Sequence, residues 1–396
     1  MPAFMPFHAL RYASGTDLDA VIAPPYDVLS AADVHDLADR DAHNIVHIDV
    51  PGGSPDPYQA AAAQMTRWLT DGVLVRDPEE SFTIYRMSFT DAAGHARIIN
   101  GVLGGLEVVD EGAGGVLPHE NTTPKAKTDR LDLTRATAAN LSPVWGLSLA
   151  SGLTEALAEP GELVGRIEAD GAVHQVERVT DPQRIAQISG LIATDDVLIA
   201  DGHHRYAVSR TYRDEVRAAS GSSDTEAEFT LTFINELVAD QLSVEAIHRV
   251  YTNTTIEDLR ALLAASFQLA PAPAPSTALL DQMVDTGRLV LIAPDGTCEW
   301  LIPLPNRFDD VRALDGAWLE EALAGSTVEV GYQHGVPEVL TTVTSGQADA
   351  AVLIRPTSVA EIQRTAREGL LMPPKSTFFT PKLRTGFVIR PTASLS

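Results

Sequence analysis

The sequence predicts an α+β protein: a mixed β-sheet with flanking helices, followed by a C-terminal α/β lobe. Three observations carry this reading. Short apolar runs of strand type alternate along the chain with stretches of helical periodicity. Phe82–Phe89 and Arg97–Val109 flank Asp91-Ala92-Ala93-Gly94, the pattern of a hairpin. Ala270-Pro271-Ala272-Pro273-Ala274-Pro275 then interrupts the pattern with alternating prolines, which favour an extended linker. The expected domains are residues 1–268, with the core and the site, and 276–396, a lobe whose tail returns to the body.

Phe4–Leu10 reads as an opening segment, and Pro24 and Pro25 stiffen the turn Ala23–Val28. Ser30 or Asp33 can cap a helix to about Arg40. Asn44–Val50 reads as a short strand. Pro57–Leu69 is a helix with Tyr58, Ala61, Met65 and Trp68 on one face. A helix from about Asp129 to Asn140 is closed by Ser142-Pro143, and a strand follows at Val144–Leu149. Ala156–Gln175 carries no clear period. Asp181–Ile192 is helical, Glu228–Asn235 and Val244–Val250 are strands, and Ile256–Phe267 is an amphipathic helix. Beyond the Ala-Pro stretch come a hairpin (Arg288–Ile292 with Cys298–Pro303), a strand at Ala350–Arg355, and helices at Leu314–Leu323, Val336–Ser345 and Ser358–Gly369.

Composition narrows the function. The 396 residues are enough for two or three lobes, and 44% hydrophobic content fits a globular chain. A net charge of −25 argues against a nucleic-acid partner, although a local basic pocket can still hold a nucleotide. Cys298 stands alone, so neither a disulfide framework nor a thiolate zinc site is expected. No run approaches the roughly 20 apolar residues of a membrane span, so no membrane partner is expected. The N-terminus lacks the pattern of a secretion signal, and the cytoplasm is the expected location.

Polar chemistry gathers in four places. Val197–Ala200 is a strand that ends in Asp201-Gly202-His203-His204-Arg205, with a helix from Tyr206 to Arg217. Gly202 permits a tight turn, helix-start N–H groups favour anions, and Arg205 suits phosphate or carboxylate. His203 and His204 exchange protons near neutral pH. The second cluster, Pro118–Arg130, packs His119, Glu120, Thr122, Lys125, Lys127 and Arg130 into a loop and helix start. Donors for phosphate oxygens beside a carboxylate suit a phosphate site. The third is His248-Arg249 inside an apolar strand, and the fourth is the tail Met372–Lys382, in which Pro373 and Pro374 stiffen the chain ahead of Lys375.

The chain resembles a bacterial family known as domain of unknown function ten-fifteen. The matching stretches are Ile22–Val28, His119–Thr122, Asp129–Leu131, Ser142-Pro143, Ala200–Tyr206, His248-Arg249 and Met372–Thr377. More distantly, Asp201-Gly202-His203-His204-Arg205 resembles the Asp-Gly-His-His-Arg motif of free-serine kinases built on the ParB/sulfiredoxin-like fold. ParB proteins carry a related Gly-x-x-Arg phosphate motif, which matches Gly202 and Arg205. The resemblance implies a ParB-like core and an acidic residue acting as base on the serine hydroxyl, a role that falls to Glu120.

The expected function is therefore a small-molecule kinase that moves phosphate from ATP or ADP to a hydroxyl, foremost that of free L-serine. Gly202, Arg205, Lys125, Lys127 and Arg130 would hold phosphate, and His203 or His204 would bond or protonate the transferred group. Mg2+ would bridge the phosphates near Asp201. His119, Thr122, His248, Arg249 and Lys375 would meet the substrate. A phosphatase using the same groups is a close variant, and a ParB-like nucleotide-binding regulator is the alternative from another class. A metal hydrolase using His119, His203, His204 and His248 lacks the i, i+4 spacing of a zinc helix.

Overall fold

The computed structural model describes residues 1–91, 94–118, 127–373 and 375–393. The chain divides into two compact units. The first comprises Met1–Leu242, Ala366–Leu370 and Pro381–Ser396, and the second Ser243–Thr365 and Leu371–Thr380. The division falls near residue 242 and not in the Ala-Pro stretch. There, Phe267–Pro271 is an edge strand that pairs antiparallel with Cys298–Pro303. Phe267 is buried in the second unit's core, and Pro271 is tolerated at the end of an edge strand.

The first unit is built on a mixed sheet of nine described strands. From one edge the order is Val116–Pro118, Val197–Asp201, Val144–Ser148, Phe229–Glu236, Ala96–Glu107, Phe82–Thr90, Ala172–Val179 and Glu162–Ala169. Phe4–Met5 adds to Ala96–Glu107. Two pairings are parallel, Val116–Pro118 with Val197–Asp201 and Val144–Ser148 with Phe229–Glu236. The stretch without a clear period, Ala156–Gln175, supplies most of the hairpin Glu162–Ala169/Ala172–Val179. Phe4, Phe82, Val102, Val197, Ile234 and Tyr206 belong to one core cluster.

The helices form where caps and periodicity agree. Ser30 and Asp33 make a reciprocal capping box for Ala31–Arg40, Asp56 caps Pro57–Thr70, and Asp181 caps Pro182–Ile192. Ala61, Met65 and Trp68 bury the inner face of Pro57–Thr70. Asn44–Val50 is not a strand: Val46–Asp49 is a short helix, because the Asn44 side chain accepts from the Val46 N–H at 3.0 Å and nucleates the turn. Lys127–Thr137 ends three residues before the expected stop, at Ala138 with φ 47°. In the second unit six described strands form one antiparallel sheet, and Glu329–His334 is an edge of it that sequence periodicity had not marked.

The segment 381–393 is threaded back into the first unit. Ile389 pairs with Leu10, Thr385 with Ala23, and Arg390-Pro391 with Asn140-Ala139. The Arg384 N–H donates to the Tyr85 hydroxyl at 3.1 Å, and its Nε lies 3.5 Å from Nε2 of His174, whose Nδ1 is 2.9 Å from the same hydroxyl. Burial, and then the Arg384 charge, push the His174 pKa down to about 3. An unfolded histidine binds its proton near pH 6.5, so the unfolded state gains protons that the folded state refuses as pH falls from there toward 3. Stability is therefore lost on acidification, by up to about 1.4 kcal/mol per pH unit for such a site. The urea midpoint should drop between pH 7 and pH 5, and His174→Gln should shrink that drop. An undiminished drop in the variant would show that His174 does not contribute.

Candidate functional site

The strand Val197–Asp201 runs into the helix His203–Ser220 through a single residue, Gly202. Its φ of 85° lies in the left-handed region, and a Cβ there would meet Arg205 Nε at 3.0 Å. Glycine thus permits both the turn and the close passage of the guanidinium. The pairing register with Val144–Ser148 slips between Ile199 and Asp201, a bulge of the kind that re-aims side chains beside sites. The N-cap is glycine, so no side chain of that residue caps the helix.

Asp201 is the centre of the arrangement. Its Oδ2 accepts from Arg205 Nη2 at 3.0 Å and lies 3.6 Å from Lys382 Nζ. Burial alone would raise its pKa, but Lys382, Arg205 and His203 outweigh it and hold the carboxyl well below the usual carboxylate range. Arg205 also donates to the Pro143 carbonyl through Nη1 and lies 3.7 Å from Asp27. Its Nε is buried with no hydrogen-bond partner among the described residues.

A second ion pair adjoins the first. Arg130 donates to the Asp49 carbonyl at 2.7 Å, to Asp49 Oδ1 at 3.1 Å and to Asp129 at 2.8 Å, with its guanidinium 4.0 Å above the Tyr26 ring. Burial raises the Asp49 pKa despite the opposing charges of Arg130 and Arg205. Ser142 Oγ lies 3.4 Å from Asp49 and 3.0 Å from Thr385 Oγ1. Tyr26, Asp49, Arg130, Ser142, Arg205 and Ser209 line one small pocket.

Of the residues expected from sequence, Arg205 and Arg130 line this pocket, and Asp201 adjoins it through its ion pair with Arg205. His203 and His204 are half-buried in the first turn of the helix. His119, Glu120, Thr122 and Lys125 lie outside the described residues, and so does the side chain of Lys127, which opens the helix Lys127–Thr137. His248, Arg249 and Lys375 belong to the second unit. There His248 is buried and accepts the Ile354 N–H at 3.2 Å, and Arg249 donates to the Lys375 carbonyl at 3.1 Å.

Asp201 does not fit the role of magnesium ligand: an arginine and a lysine already share its oxygen, and a dication there would meet two like charges. Among the described residues no group of three metal-ligating side chains gathers. Tyr26, Asp27, Asp49, Ser142 and Lys382 were not assigned from sequence. Pro25-Tyr26-Asp27 stood out as part of a stiff turn and Ser142-Pro143 as a helix stop, both within family-matching stretches, and Lys382 only as one of two tail lysines.

A family model described as "Protein of unknown function (DUF1015)" matches residues 4–317. No curated protein matches the chain. Among solved structures, a conserved hypothetical protein from Pyrococcus furiosus is similar at 12% identity, over 69% of this chain and 92% of that one, with a TM-score of 0.38. A free serine kinase in complex with AMP is similar at 12% identity, over 69% and 89%, with a TM-score of 0.38. SbnI with a C-terminal truncation, from Staphylococcus aureus, is similar at 13% identity, over 72% and 85%, again with a TM-score of 0.38.

Arg205 lines the pocket while its guanidinium bonds to Pro143 and to Asp201. Arg205→Lys keeps the charge and loses the fork. It should cost about 1–2 kcal/mol of stability through the lost buried hydrogen bond. Binding of inorganic phosphate or nucleotide should weaken by about tenfold or more. Calorimetric titration and thermal melting read the two effects separately, and undiminished anion binding would remove Arg205 from the site.

Proposed function

Because the chain belongs to the DUF1015 family, whose description carries no activity, we propose its function from the site itself: a phosphotransferase that moves a phosphoryl group from ATP or ADP to the hydroxyl of a small molecule, foremost free L-serine. The observation that carries this reading is the uncapped helix start at Gly202, beside which the Arg205 guanidinium lines a pocket shared with Arg130. Fixed donors and cations of this kind stabilise the charge of a phosphoryl group in flight. The resemblance of Asp201–Arg205 to the free-serine kinase motif supports the acceptor.

In the proposed reaction the acceptor oxygen forms a bond to the terminal phosphorus of the nucleotide. The bond from that phosphorus to the bridging oxygen breaks, and ADP leaves from ATP, or AMP from ADP. Glu120 takes the hydroxyl proton. Arg205, Lys125, Lys127 and Arg130 hold phosphate oxygens, with the backbone N–H groups after Gly202. His203 or His204 donates to the transferred group. Magnesium would enter with the nucleotide, whose phosphates are its natural ligands, and no step here is routed through Asp201.

The test is incubation of the full chain with ATP or ADP and a panel of free amino acids and polyols, with phosphorylated products read by mass spectrometry. O-phosphoserine should form, and Glu120→Gln should lower its rate by about 100-fold or more with nucleotide affinity kept. Nucleotide binding without any phosphorylated acceptor would instead favour a regulatory nucleotide-binding protein.

A further inference from the structure

We infer that Ser142 is an internal phosphoryl acceptor of this site, with the Asp49 carboxylate as the base that takes its proton; this rests on the phosphotransferase reading. The aliphatic hydroxyls that line the pocket are those of Thr134, Ser142, Ser209 and Thr230. Thr134 donates to the Arg130 carbonyl, Ser209 donates to the Arg205 carbonyl, and Ser209 and Thr230 bond to each other. Of these four, Ser142 is the one that meets a carboxylate among the described residues. Its Oγ lies 3.4 Å from each oxygen of Asp49.

The surroundings decide where the Ser142 proton points. Thr385 is buried, and its hydroxyl has one partner among the described residues, Ser142 Oγ at 3.0 Å. A buried hydroxyl keeps its donor satisfied, so Thr385 donates to Ser142, and the Ser142 proton is left for Asp49. Arg130 Nη1 holds Asp49 Oδ1 at 3.1 Å and fixes the carboxylate. A hydroxyl, a base and a third group that orients the base are the parts of an activated nucleophile, and their bonds are often long until substrate arrives. Burial also leaves the Asp49 carboxylate readier than an ordinary one to take a proton. Ser142 itself is half-buried and shares the pocket lining with Arg130 and Arg205.

In the step, Ser142 Oγ forms a bond to the terminal phosphorus of the nucleotide. The bond from that phosphorus to the bridging oxygen breaks, and ADP leaves from ATP with the electron pair. The hydroxyl proton passes to Asp49. Asp49, now neutral, does not repel the attached phosphate, and Arg130 and Arg205 offset its charge.

The experiment incubates the full-length protein with ATP, first without a free acceptor and then with L-serine. The reaction is quenched in acid and read by intact mass and peptide mapping. Without an acceptor, one phosphoryl group should be found on Ser142. Ser142→Ala should lose it, and Asp49→Asn should slow its appearance by about 100-fold. A folded Asp49→Asn that is modified as fast as the wild type removes Asp49 as the base. Phosphorylation of free L-serine with Ser142 unmodified under both conditions overturns the role of Ser142 alone. Phosphate on neither the protein nor the free acceptor overturns the phosphotransferase reading itself. Should a variant fail to fold, the wild-type map still decides: phosphate on another residue in place of Ser142 overturns the inference.

Discussion

The carboxylate of Asp201 meets both the Arg205 guanidinium and the Lys382 ammonium, and three distant parts of the chain are fixed by that meeting. Arg205 reaches on to the Pro143 carbonyl, which fixes the start of the strand Val144–Ser148. Lys382 brings the returning segment. Asp201 itself sits on the slipped register at the end of Val197–Asp201. Taking such charges out of water is costly, and the opposite charges of the cluster offset that cost for one another.

The neighbouring pair of Arg130 and Asp49 follows a different logic. Arg130 spends its donors on the Asp49 carbonyl, the Asp49 carboxylate and Asp129, and stacks on Tyr26. It joins the helix Lys127–Thr137 to the short helix Val46–Asp49 and so builds the pocket wall. Any hold it has on a ligand is a second duty. Arg205, with an Nε that no described residue accepts from, is the more available of the two.

Much of this was legible in the sequence. The cap at Ser30, the one-faced periodicity of Pro57–Leu69 and the turn between Phe82–Phe89 and Arg97–Val109 announced their elements, since local chemistry alone decides them. Asp201-Gly202 and Arg205 were legible because only a glycine permits that turn. What failed did so for tertiary reasons. Asn44–Val50 has the apolar content of a strand, but the Asn44 side chain closes a helical turn. The alternating prolines look like a linker, yet Phe267 draws the preceding residues into an edge strand. Lys375 and Lys382 are seven residues apart in one proline-rich tail, and nothing local tells them apart. Only the division of the chain does, which gives Lys375 to the second unit and Lys382 to the first.

That division also orders events during synthesis. The described strands of the large sheet are all complete once Glu236 has been made, so the sheet can pair early. Lys382 comes 146 residues later, after all of the second unit, a delay on the order of ten seconds on a translating ribosome. Until then the Arg205–Asp201 pair faces water without its second cation. A nascent chain with a finished sheet consequently still lacks the segment that pairs with Leu10, Ala23 and Asn140.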